Sequence, residues 1–161
     1  MHAVGKHTVV GASGDMADFQ QMQKFLDSLM TDEEIAEDGH VLTTSQIYEY
    51  MSNLMYQKRS KIDPLWNAFI VGGLDKQGKK PYLGYVDLLG TTYQAPCIAT
   101  GFGAYLAVPL MRKALDSLGE NGEEKLDEKD ARKVIEQCMQ VLFYRDARSL
   151  NKVRLRRCPP I

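Results

Sequence analysis

Apolar and polar positions follow two different periods along the first sixty residues. A short β-branched run at 7–12 predicts a strand, and apolar residues then recur every three or four positions from 16 to 30, as on one face of an α-helix. A second helix is predicted to begin at Thr43 or Thr44, because Thr43 and Gln46 have the spacing of a capping box.

The middle of the chain predicts three consecutive strands. Pro64 interrupts the helical pattern, and Leu65–Gly73 is apolar at successive positions, as expected of a strand covered on both faces. The runs Tyr82–Leu89 and Thr91–Ala99 follow after short connections. Short connections between consecutive strands favour an antiparallel meander.

The last third returns to the helical period. One helix follows Gly101-Phe102-Gly103, and Pro109 is expected either to bend it or to mark its start. A final helix is predicted to begin at Asp127, with Asp130 at the distance of a capping box. After Asn151 the pattern predicts a short strand that two prolines cut off.

This order of elements indicates an α/β fold with two stacked sheets and helix layers outside, in a single domain over 1–161. The 161 residues are 44% hydrophobic and carry a formal net charge of −1, which excludes a disordered tail and gives no basic field for nucleic acid or an anionic membrane. The apolar runs are too short to cross a bilayer. Three widely spaced cysteines suggest neither a disulfide framework nor a zinc site: Cys97, Cys138 and Cys158.

Two glycine-containing turns are considered as candidate catalytic or nucleotide-binding sites. The run 11–15 (GASGD) lies where a hydrolase nucleophile elbow would place its serine, but Asp15 stands where the GxSxG motif needs glycine, so capping of a helix by Ser13 and Asp15 is favoured. The run 101–103 has the position of a dinucleotide-binding loop, but Leu106 replaces its third glycine. Close backbone packing is the favoured role of these glycines.

The remaining polar groups give weaker signals. The three histidines share no helical face and have no partner at ligand spacing, so we expect no metal and no cofactor. The basic tail at 152–157 could contact phosphates, but it has no interleaved aromatic residues, which favours a solvated end. Asp146 and Ser149 can hydrogen-bond each other or a neighbour, either as a helix-end network or as the remnant of a catalytic or interface site.

Five blocks, in order along nearly the whole chain, resemble the β subunits of the proteasome core particle, and among them the non-catalytic type. They are GASGDMADFQ, DPLWNAFIVGG, YLGYVDLLGTTYQAP, ATGFGAYLAVPLMR and VLFYRDARSLN. The resemblance implies the four-layer αββα sandwich of N-terminal-nucleophile hydrolases. It also implies that the chain lacks the family's leading strands at its N-terminus and diverges from the family over 152–161.

The same resemblance predicts that no residue here is catalytic. Active relatives use an N-terminal threonine whose amine acts as the base, together with an aspartate and a lysine on the next strands. Phe102 stands in place of a family serine, and Leu150 in place of a glycine. Asp146 and Ser149 match supporting positions only. An active N-terminal-threonine hydrolase is the alternative, if an upstream segment supplies the nucleophile.

The function that the resemblance implies is structural. We expect a non-catalytic subunit of the 20S β ring, in a hetero-oligomeric assembly with other α and β proteasome subunits, in the cytoplasm and nucleus. It would support ubiquitin-dependent and other proteasomal protein degradation without binding nucleic acid, membrane or cofactor. Seven methionines are weighed as adaptable contacts or as core filler: Met16, Met22, Met30, Met51, Met55, Met111 and Met139.

Overall fold

The computed structural model describes residues 1–75, 80–119 and 122–157, without the side chains of Glu123 and Glu124. The described residues form two compact units, Met1–Ala95 and Pro96–Arg156, which we treat one at a time. This division does not test whether the two units fold as one domain, so the single domain over 1–161 stays a prediction. Cys158 lies outside the described residues.

The first unit contains a five-stranded antiparallel sheet in the order β1-β2-β3-β4-β5. Its strands are β1 (His2–Val4), β2 (Thr8–Gly14), β3 (Asn67–Asp75), β4 (Lys80–Val86) and β5 (Thr92–Gln94). Strands that follow each other along the chain pair with each other, so the predicted antiparallel meander is confirmed. The three residues of β1 are too short to show a period and were not predicted as a strand.

Two helices connect the first and second parts of this sheet. Helix α1 (Met16–Ala36) has Asp15 as its N-cap, whose carboxylate accepts from the backbone N–H groups of Ala17 and Asp18. Helix α2 (Thr44–Ser60) begins with the predicted capping box, in which both reciprocal hydrogen bonds of Thr43 and Gln46 are present. The two starts predicted from the sequence are therefore confirmed.

The core of the first unit lies between α1, α2 and one face of the sheet. Alternate residues of β2, β3 and β4 point into it, as the two-residue period of a strand requires. The large side chains that are fully buried there come from both helices and three strands: Val10, Met22, Leu26, Ile47, Met51, Met55, Phe69, Val71 and Val86.

The other face of the sheet differs from the prediction. Ile70, Leu83 and Tyr85 on that face are only partly buried, so β3 is fully covered on one face and half-covered on the other. The described residues contain one sheet rather than two stacked sheets. The predicted strand Thr91–Ala99 is also too long, because Pro96 has no N–H to donate to a ladder and β5 ends at Gln94.

The second unit is built from helices. They are α3 (Gly103–Asp116), α4 (Gly122–Lys125) and α5 (Glu128–Arg145). Pro109 lies inside α3, so it does not mark the start of that helix. Helix α5 begins after Asp127 as predicted, but the capping box is not formed, because the Asp127 side chain makes no cap hydrogen bond.

The end of the described chain lacks the predicted strand. Residues 151–157 contain no strand within the described part, and without a neighbouring strand an alternating pattern has no ladder to join. The mixed α/β class, in contrast, is confirmed by the helices and the antiparallel sheet together. It is consistent with a fold of the N-terminal-nucleophile hydrolase type.

Candidate functional site

Asp146 and Ser149 form a local turn at the end of α5. The Asp146 carboxylate accepts from the backbone N–H of Arg148 at 2.9 Å. The Ser149 hydroxyl donates at 2.8 Å to the backbone carbonyl of Asp146, rather than to its carboxylate. Of the two interpretations weighed from the sequence, these contacts match a helix-end network, because the polar groups satisfy the backbone of their own turn.

Phe102 stands at the start of α3, one residue before the helix. Its side chain is exposed, and as the N-cap residue it makes no side-chain hydrogen bond to the helix. Gly101 has a positive φ of 61°, a conformation that glycine adopts without steric cost. Phenylalanine offers a reacting group neither a donor nor an acceptor, so this turn holds an apolar side chain where a serine could hold a hydroxyl.

The turn at 11–15 serves as a structural anchor. Ser13 donates only a long 3.5 Å hydrogen bond to the carbonyl of Ala68, and Asp15 caps α1, so the sequence-based preference for capping holds for Asp15 and not for Ser13. The buried amide of Asn67 donates to the carbonyls of Ser13 at 3.1 Å and Asp15 at 2.7 Å. Asn67 is 2% exposed, and sequence reasoning did not single it out.

The histidines make separate contacts. His2 Nε2 lies 2.9 Å from Asp27 Oδ1, which links β1 to α1. His40 Nδ1 contacts Glu33 Oε1, and the hydrogen bond and negative charge of Glu33 raise the pKa of His40. Among the described residues, no group of three or more histidine, cysteine, aspartate or glutamate side chains could hold a metal ion.

Two free cysteines are buried in the second unit. The Cys138 thiol lies 3.7 Å from the carbonyl of Ala107. Burial, together with the nearby Cys97, raises the pKa of Cys138, which disfavours the reactive thiolate. In the part of the chain that the structure describes, no helix is long and apolar enough to cross a membrane.

The methionines divide between core and surface. Met22, Met51 and Met55 are fully buried, and Met30 packs against the same core. Met16 is exposed at the start of α1. Core filling is therefore confirmed for Met22, Met51 and Met55, whereas the interpretation as adaptable contacts stays a prediction for the others.

The described surface carries apolar side chains that the sequence analysis did not identify. In the first unit, Ile62 and Trp66 lie in the connection between α2 and β3 and point to solvent. In the second unit, exposed apolar residues are distributed over α3, the turn after it and α5: Tyr105, Leu110, Leu118, Ile135, Phe143 and Tyr144. A period-based analysis assigns such residues to a buried face, and only the structure shows which of them remain uncovered.

Comparison with known proteins identifies the family of this chain. A family model described as "Proteasome subunit" matches residues 1–157. The chain is 50% identical over 149 residues to the probable proteasome subunit beta type-7 of Schizosaccharomyces pombe, which covers 92% of this chain and 56% of that protein. It is 43% identical over 152 residues to the proteasome subunit beta type-4 of Xenopus laevis, covering 94% of this chain and 60% of that protein.

A third relative has similar coverage. The proteasome subunit beta type-7 of Saccharomyces cerevisiae is 47% identical over 156 residues, which is 94% of this chain and 58% of that protein. The chain thus spans between 56% and 60% of the length of these curated relatives. Because the family model matches residues 1–157 and identity is high over most of the chain, the chain belongs to the proteasome subunit family.

Proposed function

We propose that this chain is a non-catalytic structural subunit of the β ring of the 20S proteasome. The observation that carries the proposal is the family match over 1–157, with relatives named proteasome subunit beta type-4 in several organisms. In this role the chain contributes to the wall of the chamber in which other subunits cut polypeptides, and so supports ubiquitin-dependent and other proteasomal degradation. Its partners are the other α and β subunits.

The local geometry around Phe102, Asp146 and Ser149 supports a role without catalysis. Acyl transfer by an activated nucleophile needs an adjacent base and a hydrogen-bonding group that orients it. Here the Ser149 hydroxyl donates to a backbone carbonyl, and the Asp146 carboxylate accepts from a backbone N–H. Phe102 has no polar atom on its side chain.

The second function weighed, an active N-terminal-threonine hydrolase, makes a different prediction. Particles assembled with the whole product of the gene, tagged at its C-terminus, would be treated with a covalent inhibitor that reacts with N-terminal threonine. We expect the label on other β subunits and none on the tagged chain. A labelled chain in the assembled particle would contradict the non-catalytic assignment and favour the hydrolase.

The location proposed for the chain is the cytoplasm and the nucleus. It follows from the proposed assembly, and the free state of the buried Cys97 and Cys138 supports it, because reducing compartments keep thiols unpaired. Fluorescence microscopy of the tagged chain in living cells tests it. A signal confined to the secretory pathway would contradict the proposal.

A further inference from the structure

Helix α2 ends in a turn that normally requires glycine. The N–H of Ile62 donates to the carbonyl of Arg59 at 3.1 Å, and the N–H of Asp63 donates to the carbonyl of Lys58 at 3.1 Å. These two bonds are the Schellman pattern, in which the residue after the cap adopts the left-handed conformation. Ile62 occupies that position with a φ of 59°.

Isoleucine is a poor residue for this position within the chain itself. A β-branched side chain is sterically disfavoured at positive φ, and glycine or asparagine is the usual choice at the end of a helix. Burial does not offset the strain, because Ile62 is 93% exposed. The fold of this unit therefore gains nothing from isoleucine that glycine or asparagine would not supply.

The backbone of Trp66, four residues later, is fixed by two hydrogen bonds. Its backbone N–H donates to Asp18 Oδ2 at 2.9 Å, and its carbonyl accepts from the N–H of Asp15 at 2.9 Å. The residues on either side, Leu65 and Asn67, are buried, whereas Trp66 is 67% exposed. The backbone is thus fixed on both sides while the indole is presented to solvent.

The charges beside Ile62 indicate the chemistry of a partner. Lys58 is paired with Asp63, whose carboxylate lies 2.8 Å from its ammonium group. For the exposed Arg59 in the last turn of α2 and the exposed Lys61 at its C-cap, the described residues provide no ion pair. A surface that meets this segment is favoured if it carries a carboxylate opposite Lys61.

We infer that Ile62 and Trp66, here called the α2–β3 knob, contact an apolar surface of a neighbouring subunit of the assembly that carries a carboxylate opposite Lys61. The inference rests on the proposed function and adds the surface that makes the contact. Because the backbone at both residues is already fixed, it loses little conformational freedom on binding, and exposed apolar and aromatic side chains are typical of residues that dominate an interface. The strained backbone at Ile62 is then maintained for the assembled state.

The test compares Ile62→Asn with the wild-type chain in one cell. The two chains carry different tags at equal expression, and their ratio in purified particles is measured by quantitative mass spectrometry. Ile35→Asn serves as the matched control, because Ile35 is also largely exposed, at 71%, in an ordinary helical position. Hydrogen exchange at the amides of residues 62 and 63 in the free chain reports separately on the folded turn.

We expect Ile62→Asn to enter particles about tenfold less than the wild type, with equal or slower amide exchange, and Ile35→Asn to enter them equally. A further Lys61→Glu variant should also be depleted, because it places a like charge opposite the partner's carboxylate. Two results would overturn the inference and leave the proposed function standing. One is that Ile62→Asn enters particles as well as the wild type does. The other is that Ile62→Asn loses both its incorporation and its amide protection, which would mean that the turn itself has unfolded. Absence of the wild-type chain from particles would overturn the proposed function, and the inference with it.

Discussion

The ring of Tyr48 lies directly against the backbone of Gly84. A Cβ atom at residue 84 would be 2.5 Å from Tyr48 Cε2, closer than real side chains approach. The Tyr48 hydroxyl donates to the carbonyl of the next residue, Tyr85, at 3.1 Å, and its ring meets Tyr82 edge-on with centroids 5.4 Å apart. This contact fixes the position of α2 on β4.

Gly84→Ala should therefore destabilise the chain by about 1–3 kcal/mol, because the added methyl group forces Tyr48 away from the sheet. Urea unfolding followed by circular dichroism measures the change. Gly11→Ala is the matched control: its Cβ would lie 3.8 Å from the Ile70 carbonyl, which is an ordinary contact. Equal effects of the two substitutions would show that the Tyr48 contact is not what excludes a side chain at residue 84.

The Asn67 amide bridges two backbone carbonyls inside the first unit. Asn67→Ala leaves the carbonyls of Ser13 and Asp15 without this donor, so we expect a loss of about 2 kcal/mol in the free energy of unfolding. Asn53→Ala, at an exposed position of α2, should change stability by less than about 0.5 kcal/mol. If Asn67→Ala were as well tolerated as the exposed control, the anchoring role of the amide would be refuted.

The capping box at Thr43 gives a local prediction. Thr43→Ala removes the side-chain acceptor of the Gln46 N–H and should cost about 1 kcal/mol of stability. Thr43→Ser keeps a hydroxyl at the same place and should retain most of the stability. Thermal unfolding of the two variants measures the difference, and an equal loss in both would argue against the hydroxyl as the cause.

Tyr82 is predicted to ionise late. Burial, assisted by the nearby Tyr48, Glu49 and Asp75, raises the pKa of Tyr82 to about 12 from an ordinary value of 10.0. The folded chain keeps this proton where the unfolded chain loses it, so the contribution to stability is complete below pH 10 and is lost as the pH rises towards 12.

Ultraviolet absorbance of tyrosinate during an alkaline titration follows this ionisation. Burial also raises the pKa of Tyr48 and of Tyr85, so the step that belongs to Tyr82 is the one near pH 12. Tyr82→Phe should remove that step, whereas Tyr105→Phe, at an exposed position of α3, should leave it in place. A step near pH 12 that persists in Tyr82→Phe would assign it to another tyrosine.

His40 provides a test near neutral pH. Since the hydrogen bond and charge of Glu33 raise the pKa of His40 above 6.5, Glu33→Gln should lower it. The contribution of this pair to stability is present below pH 6.5 and lost as the pH rises through the raised pKa. Nuclear magnetic resonance titration of the His40 ring measures the shift. Glu34→Gln, which changes the adjacent carboxylate, should leave it unchanged.

Features with a long period or a defined local motif could be predicted from the sequence. The apolar face of α1 repeats over several turns, and the start of α2 is specified by Thr43 and Gln46, so both helices were identified. The meander followed from the short connections between strands. The predicted capping box of α5 is not formed: the Asp127 side chain makes no cap hydrogen bond, and Asp130 pairs with Lys133 on the helix surface.

Other features depend on contacts between distant residues, which a period does not encode. The approach of Tyr48 to Gly84 and the bridge from Asn67 to Ser13 join residues 36 and 54 positions apart. The sequence analysis missed the strained position of Ile62, because the residues around it indicate only the basic last turn of a helix. At the candidate site, Phe102 was identified from a resemblance, whereas the hydrogen bonds that Asp146 and Ser149 make required coordinates.

The central claim, that this chain assembles into the proteasome, is tested most directly by isolating particles through an α subunit. A tagged copy of the chain would be expressed in S. cerevisiae, whose proteasome subunit beta type-7 is 47% identical to it. Native mass spectrometry of the purified particles measures the mass of each assembly. The account predicts particles that contain the tagged chain among the β subunits. Recovery of the chain only as free protein, with every particle holding the yeast subunit in its place, would contradict it.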